Sequence, residues 1–223
     1  VSAPGFEAGA WPAVALSLQV AAVSVLASLP LGVAVGWVLA RKRFRGRVLL
    51  DGLVYLPLVL PPVVTGYALL WALSPRGPLG WLDVAFTWRA AALASAVVAF
   101  PLLVRAVRLG FEAVDPGLEE AALTLGASPW RTFWRVTLPL AWPGVLSGAL
   151  LAFGRSLGEF GATITFAGNI QGETRTLPLA IYTALQTPDG RAEATTLAWI
   201  SVGLALGTLI AGEVLARRLR WRR

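Results

Sequence analysis

Cysteine, histidine and methionine are all absent from the 223 residues, and Lys42 is the only lysine among 19 basic residues. Without cysteine there is no disulfide framework, thiolate nucleophile, Cys-ligated zinc or iron–sulfur cluster. Without histidine the usual general base, the Ser-His-Asp triad and the commonest metal ligand are missing as well. Charge is also scarce. Only 14% of residues are charged while 57% are hydrophobic, and mean hydropathy is +0.69. A soluble domain is nearer a quarter charged, and one of this composition would expose large apolar patches and aggregate. These absences argue against a soluble enzyme and against disorder, and they point to lipid as the solvent.

What is present are long uncharged runs. Residues 13–40, 52–73, 90–104, 136–154 and 194–212 contain no charged side chain. A spanning helix needs ~20 mostly apolar residues, so the sequence predicts five spans. The first run is too long, and lacks the basic leader, for a signal peptide. No internal repeat at a fixed period is evident.

Basic residues are unevenly placed. Five fall in 41–47, five in 217–223, and Arg105, Arg108, Arg131 and Arg135 make fourteen on one side. Arg76, Arg89, Arg175 and Arg191 fall on the other, and Arg155 lies within a span. The positive-inside rule places the fourteen in the cytoplasm. This predicts a multi-pass protein of the cytoplasmic (inner) membrane, N-terminus outside and C-terminus inside, read as one domain over 1–223.

The second run contains Leu60-Pro61-Pro62 and then Thr65-Gly66. Two adjacent prolines remove two backbone donors, so a break near mid-membrane is expected. Gly32/Gly36, Gly154/Gly158 and Gly203/Gly207 are small-xxx-small pairs of the kind that bring helices close together. Residues 159–193 are too polar and Gly-rich for two spans. They read as the end of the fourth span, an outer loop and a short amphipathic helix near 178–187.

The segment 111–139 carries a cytoplasmic motif. Asp115-Pro116 is an N-cap and N1 pair, and Glu119 and Glu120 sit where a helix dipole favours anions. Leu118, Ala121, Ala122 and Leu125 share one apolar face. Gly126 is the expected helix stop, followed by Ala127, and Ser128-Pro129 starts a second helix. A DNA-reading pair of helices would have this length. However, spans only a few residues away keep it out of a major groove, so no nucleic acid is expected. A loop without a partner and a docking helix both remain open on these residues.

Glu120-Ala121-Ala122, Gly126 and Val136-x-Leu138-Pro139, at their spacing, resemble the EAA loop of ABC-importer permeases, with Val136 where the family usually has Ile. The run Tyr55–Val64 resembles the oxyanion importers, and runs 153–169 and 172–178 resemble the molybdate branch. The resemblance covers about residues 11–216, and the chain departs from it at Val136 and in lacking Cys and Met. It implies an all-α integral membrane protein of the type I ABC-importer permease fold, with about five spans and a coupling helix in the loop at about 111–139. It also implies a homodimer, two copies of a cytoplasmic ABC ATPase and an extracytoplasmic molybdate-binding protein. Tungstate or sulfate are the neighbouring substrates, and a membrane scaffold or sensor docking a cytoplasmic protein is the alternative of another class. No G-x-x-x-x-G-K-[ST] occurs, so this chain has no P-loop. It is expected to be non-catalytic and without a cofactor, ATP and Mg being held by the partner.

A tetrahedral dianion must bind weakly enough to leave again, a task that suits hydroxyls and backbone N–H groups. Thr163, Thr165 and Ser156 are candidates for the path or gate, with Pro61, Pro62 and Thr65 in the broken span. Arg155 and Glu159 are spaced i, i+4, so they share a helix face and are expected to pair. They shape a gate or tie the span to the bundle. Glu173 and Arg175 lie outside and are candidates for contact with the binding protein, or solvated loop charges.

Overall fold

The computed structural model describes the backbone of residues 4–220 and the side chains of residues 10–212 and of Val214. The side chains of the basic tail 217–223, which contributes to the orientation, lie outside the described residues. Among the described residues every regular element is helical. Helices α1 (Pro4–Arg41), α2 (Arg47–Val59), α3 (Pro62–Leu73), α4 (Trp88–Glu112) and α5 (Pro116–Thr124) are followed by α6 (Pro129–Thr132). A π-turn (Phe133–Thr137) then leads into α7 (Leu138–Leu157), α8 (Gly161–Phe166), α9 (Leu177–Gln186) and α10 (Arg191–Arg220).

Four segments are each long and apolar enough to cross a bilayer: Ala10–Arg41, Trp88–Glu112, Pro129–Leu157 and Arg191–Gly212. The expected fifth is split between α2 and α3, bent by 111°. The break has the anticipated cause. Leu60 adopts an extended conformation before proline, Pro61 takes the N-cap place, and Pro62 opens α3 at N1, where its missing N–H costs nothing. The two halves still make one pass. Asp51, near the start of α2, contacts Arg108 near the end of α4, while Leu73 at the end of α3 packs with Ala90 and Ala91 at the start of α4. The pair therefore runs from one end of α4 to the other.

Helix α4 is the central element. Thr87 caps it by accepting from the Ala90 N–H, and its Ala, Val and Leu side chains are buried between α1 and α7. In lipid, such packing is driven by van der Waals contact and close backbone approach rather than by expulsion of water. Two of the closest crossings are at glycines. A Cβ on Gly32 or Gly36 would lie 2.6 Å from Leu103 or 2.7 Å from Val107, so the first small-xxx-small pair does join α1 to α4. A Cβ on Gly144 would lie 2.4 Å from the Gly110 Cα, so α7 and α4 touch backbone to backbone. The other two expected pairs differ. A Cβ on Gly154, Gly158, Gly203 or Gly207 would have nothing of this chain within 4 Å, so these pairs make no close crossing within it.

The outward surface is apolar, as a bilayer requires: Val48, Leu53, Leu206, Leu209 and Ile210 are all exposed. Exposed tryptophans mark both ends. Trp11, Trp71, Trp81 and Trp199 lie toward one, Trp130 and Trp134 toward the other, as interfacial aromatic belts do. The amphipathic helix expected near 178–187 is α9, and its Leu177, Leu179, Ala180 and Ala184 face is buried against α1 and α10. Leu177 N–H also donates to the buried Ser17 hydroxyl at 2.7 Å.

Candidate functional site

The 111–139 segment folds as its punctuation dictates. Asp115 Oδ1 accepts from Gly117 N–H at 2.8 Å, and Pro116 opens α5. The helix ends in a Schellman motif. Gly126 N–H donates to the Leu123 carbonyl and Ala127 N–H to the Ala122 carbonyl, both at 3.0 Å, and Gly126 has φ +87°. Ser128 Oγ then accepts from Arg131 N–H at 3.3 Å with Pro129 at N1. The second helix is not a separate loop element. It is the first turn of the continuous Pro129–Leu157 span. The π-turn sits just before Pro139, where an α-helical carbonyl at Arg135 would collide with the proline ring. Leu138 N–H bonds instead to the Phe133 carbonyl.

Leu118, Ala121, Ala122 and Leu125 line a groove of about 500 Å³ with Arg135, Val136, Pro139 and Leu140. Its rim is open. Leu125 is 88% exposed and Leu118 49%. Glu120 faces outward, whereas Glu119 does not. Glu119 Oε1 accepts from Arg41 Nη2 at 3.1 Å and from Thr137 Oγ1 at 2.8 Å, and Arg41 Nη2 also donates to the Val114 carbonyl at 2.8 Å. Glu119 thus ties α5 to the end of α1 and to the start of the Pro129–Leu157 span. Sequence reasoning missed Arg41 and Thr137, which lie 78 and 18 residues away from it in the chain.

At the far end of that span, Arg155 Nη1 and Glu159 Oε2 are 2.7 Å apart. The expected pair forms, but not along one helix. α7 stops at Leu157, and Glu159 sits in the break before α8. There its Oε1 accepts from Ala162 N–H at 2.9 Å, supplying the start of a helix, whose N–H groups lack partners, with a carboxylate. Glu159 is buried and Arg155 is 30% exposed, so the carboxylate is the member that depends on the pairing. Arg155→Met, which leaves the buried carboxylate unpaired, should therefore destabilise the assembled protein more than Arg155→Met with Glu159→Gln together. Thermal unfolding in detergent should give a coupling energy of about 1–2 kcal/mol. Additive losses would show that the two act independently.

The remaining residues fall into two groups. Gly66 lies against Ala162, where a Cβ would come within 2.6 Å of the carbonyl oxygen, so α3 crosses α8 closely. Thr65 and Thr163 are buried there, and neither hydroxyl oxygen has a hydrogen-bond partner. Thr165 Oγ1 is spent on the Gly161 carbonyl at 2.9 Å. Ser156 Oγ lies 2.9 Å from Ser24 Oγ in the buried contact between α7 and α1. In the loop between α8 and α9, Arg175 is not a freely solvated charge. Its Nε donates to Asn169 Oδ1 at 2.9 Å, and Asn169 Nδ2 donates to Thr183 Oγ1 at 2.8 Å. Glu173 is exposed beside it.

Four long apolar helices, a fifth span that is broken, and a capped helix at one end of the bundle define a polytopic membrane protein. The chain belongs to the family of binding-protein-dependent transport system inner membrane components, whose model matches residues 28–221. It is 54% identical over 219 residues to the molybdenum transport system permease protein ModB of Escherichia coli K12, covering 95% of this chain and 96% of that one. It is 53% identical to ModB of Haemophilus influenzae, covering 93% and 94%. The fold matches the MetNI methionine ABC transporter in an inward-facing conformation with a TM-score of 0.74 at 19% identity, over 98% of this chain and 99% of that one. The all-α type I ABC-importer permease fold is therefore the fold observed, and the protein is a multi-pass component of the inner membrane.

Proposed function

We propose that this chain is the permease of an ATP-driven importer of a tetrahedral oxyanion, molybdate before tungstate or sulfate. One observation carries the reading: 54% identity to a molybdenum transport permease across nearly the whole of both chains. The chain works as a homodimer with two cytoplasmic ABC ATPase subunits, which hold ATP and Mg, and with an extracytoplasmic molybdate-binding protein. It does no catalysis itself. The exposed face of α5, with Leu118, Glu120, Ala121, Ala122 and Leu125, docks the ATPase. Glu173 and Arg175 meet the binding protein. Pro61, Pro62 and Thr65, at the break and on α3, and Thr163 and Thr165 on α8, border the path, and Arg155 and Glu159 fix the break between α7 and α8 beside it.

The N-terminus lies outside and the C-terminus in the cytoplasm. The bonds from Arg41 to Glu119 and Val114 support this orientation, because they bring the basic loop 41–47 and α5 to one end of the bundle. ATP-dependent uptake of labelled molybdate by vesicles containing the complete complex tests the reading. Tungstate should compete strongly, and sulfate at least tenfold less well. Uptake that ignores ATP would remove the importer reading, and sulfate competing as well as molybdate would move the substrate to sulfate.

A further inference from the structure

A second feature lies nearer mid-span, lined by no residue of α5 or α7. Helices α1, α2 and α4 enclose a groove of about 520 Å³. Leu31 and Val35 from α1, Leu53 and Pro57 from α2, and Ala96 and Phe100 from α4 supply its walls. Among its lining residues Ser28 alone has a polar side chain, and its hydroxyl is already bonded to the Ser24 and Val25 carbonyls. The groove therefore offers no free donor to a polar ligand. It is open along its length, with Leu31 and Leu53 59% and 58% exposed. Its natural occupant is hydrocarbon.

The mouth of the groove has the opposite character. Val35 precedes Arg41 by six residues, about 9 Å of helix, and Leu50 follows Arg47 by less than one turn. Between them run Lys42, Arg43, Arg45 and Arg47, with no acidic residue. Arg43 and Arg45 are exposed, and among the described residues neither they nor Arg47 has an ion pair. The nearest acid on α2, Asp51, is engaged by Arg108 at 3.1 Å. The helix start itself has Gly46 at its N-cap and no side-chain cap; the Arg47 N–H donates to the Phe44 carbonyl at 3.2 Å, and the positive end of the helix dipole lies beside these cations.

We propose that this groove is a binding site for an anionic phospholipid, with an acyl chain between α1, α2 and α4 and the phosphodiester on Arg43, Arg45 and Arg47. The combination fits no other single occupant as well. A free phosphate would leave the apolar groove empty, and a neutral lipid would leave the cations unmatched. The site lies on the broken span, so a bound lipid would brace α2 against α1 and α4 below the break. The leaflet follows from the orientation proposed for the chain: the cytoplasmic one, where anionic headgroups and juxtamembrane cations attract each other.

The test uses the complete permease–ATPase complex, stripped of lipid in detergent and titrated with dioleoyl phosphatidylglycerol or dioleoyl phosphatidylcholine. Retained lipid is read by native mass spectrometry. Phosphatidylglycerol should be held at least tenfold more tightly, and millimolar inorganic phosphate should not displace it. Replacing Arg43, Arg45 and Arg47 by Gln should cut its retention roughly ten- to hundredfold, toward the phosphatidylcholine level. Ala96→Phe, which fills the groove, should lower retention of both lipids. The surface substitutions in the loop keep the test decisive should Ala96→Phe impair folding. Equal retention of the two lipids, displacement by phosphate alone, or full retention by either variant would overturn the proposal. So would cross-linking of Leu53→Cys to the same groove of a second copy, because the chain's own partner would then fill it. None of these outcomes bears on molybdate uptake or on a C-terminal orientation reporter, so the lipid site and the importer function stand or fall separately.

Discussion

Gly144→Val is expected to abolish assembly of the protein, measured as the yield of monodisperse complex from detergent extracts. Position 144 has no room for a side chain. A single Cβ would meet the Gly110 Cα at 2.4 Å, the Ala106 carbonyl oxygen at 2.9 Å and the Gly110 nitrogen at 2.9 Å. All three are backbone atoms of α4, and none can rotate away. The two helices would have to separate along their length, which forfeits the van der Waals contact that holds a bundle together in lipid. The loss is about 3 kcal/mol or more, the upper range for overpacking. Gly207→Ala is the matched control. It also adds a Cβ to a glycine in a long helix, but nothing lies within 4 Å of it, so yield should be unchanged. Normal assembly of Gly144→Val would mean that the crossing of α4 and α7 is not closed at this point.

The second large effect is on coupling rather than folding. Gly126→Val should assemble with the ATPase yet lose most substrate-stimulated ATPase activity and uptake in reconstituted vesicles. The physical reason lies entirely in the backbone. Gly126 has φ +87° and nothing within 4 Å of its Cβ position, so a side chain there meets no obstacle except its own main chain. A β-branched residue at positive φ costs on the order of 1–2 kcal/mol. It would shift the Schellman bonds to Leu123 and Ala122 that set the angle between α5 and the next span. Gly126→Asn separates this account from a simple loss of contact. Asn tolerates the left-handed region, so it should keep most of the activity. Equal loss in both variants would place the effect in the partner's surface instead.

Much of this architecture can be read from the residues because the signals are local. A proline pair cannot donate hydrogen bonds wherever it stands, so a break at Leu60-Pro61-Pro62 is expected and is found. The cap at Asp115, the stop at Gly126 and the restart at Ser128-Pro129 are likewise set by each residue's own backbone and side chain. The hidden features depend on partners far apart in the chain. Gly110 and Gly144 are ordinary glycines in sequence, and only the fold makes them neighbours. The i, i+4 spacing of Arg155 and Glu159 announces a pair. It does not show that the helix stops between them and leaves Glu159 to cap α8. Glu119 and Glu120 are equivalent by helix-dipole arguments, yet one is tied to Arg41 and Thr137 and the other faces outward. That difference arises only once α1 and the start of the Pro129–Leu157 span arrive beside them.

The backbone contact between Gly110 and Gly144 also has a mechanical meaning. The span Pro129–Leu157 is 29 residues long, and Gly144 lies near its middle. At 1.5 Å per residue the stretches on either side measure about 22 and 20 Å. A stiff rod closed most tightly against its neighbour around its middle, at Gly144 and one turn on at Gly148, can rock about that stretch more readily than it can slide past it. Such a rod is a lever with nearly equal arms. A displacement of one end by α5 would therefore reappear at the end carrying Arg155 with nearly the same amplitude and the opposite direction. An ångström of motion imposed on one face of the membrane would open or narrow the other by about an ångström, with no helix needing to bend.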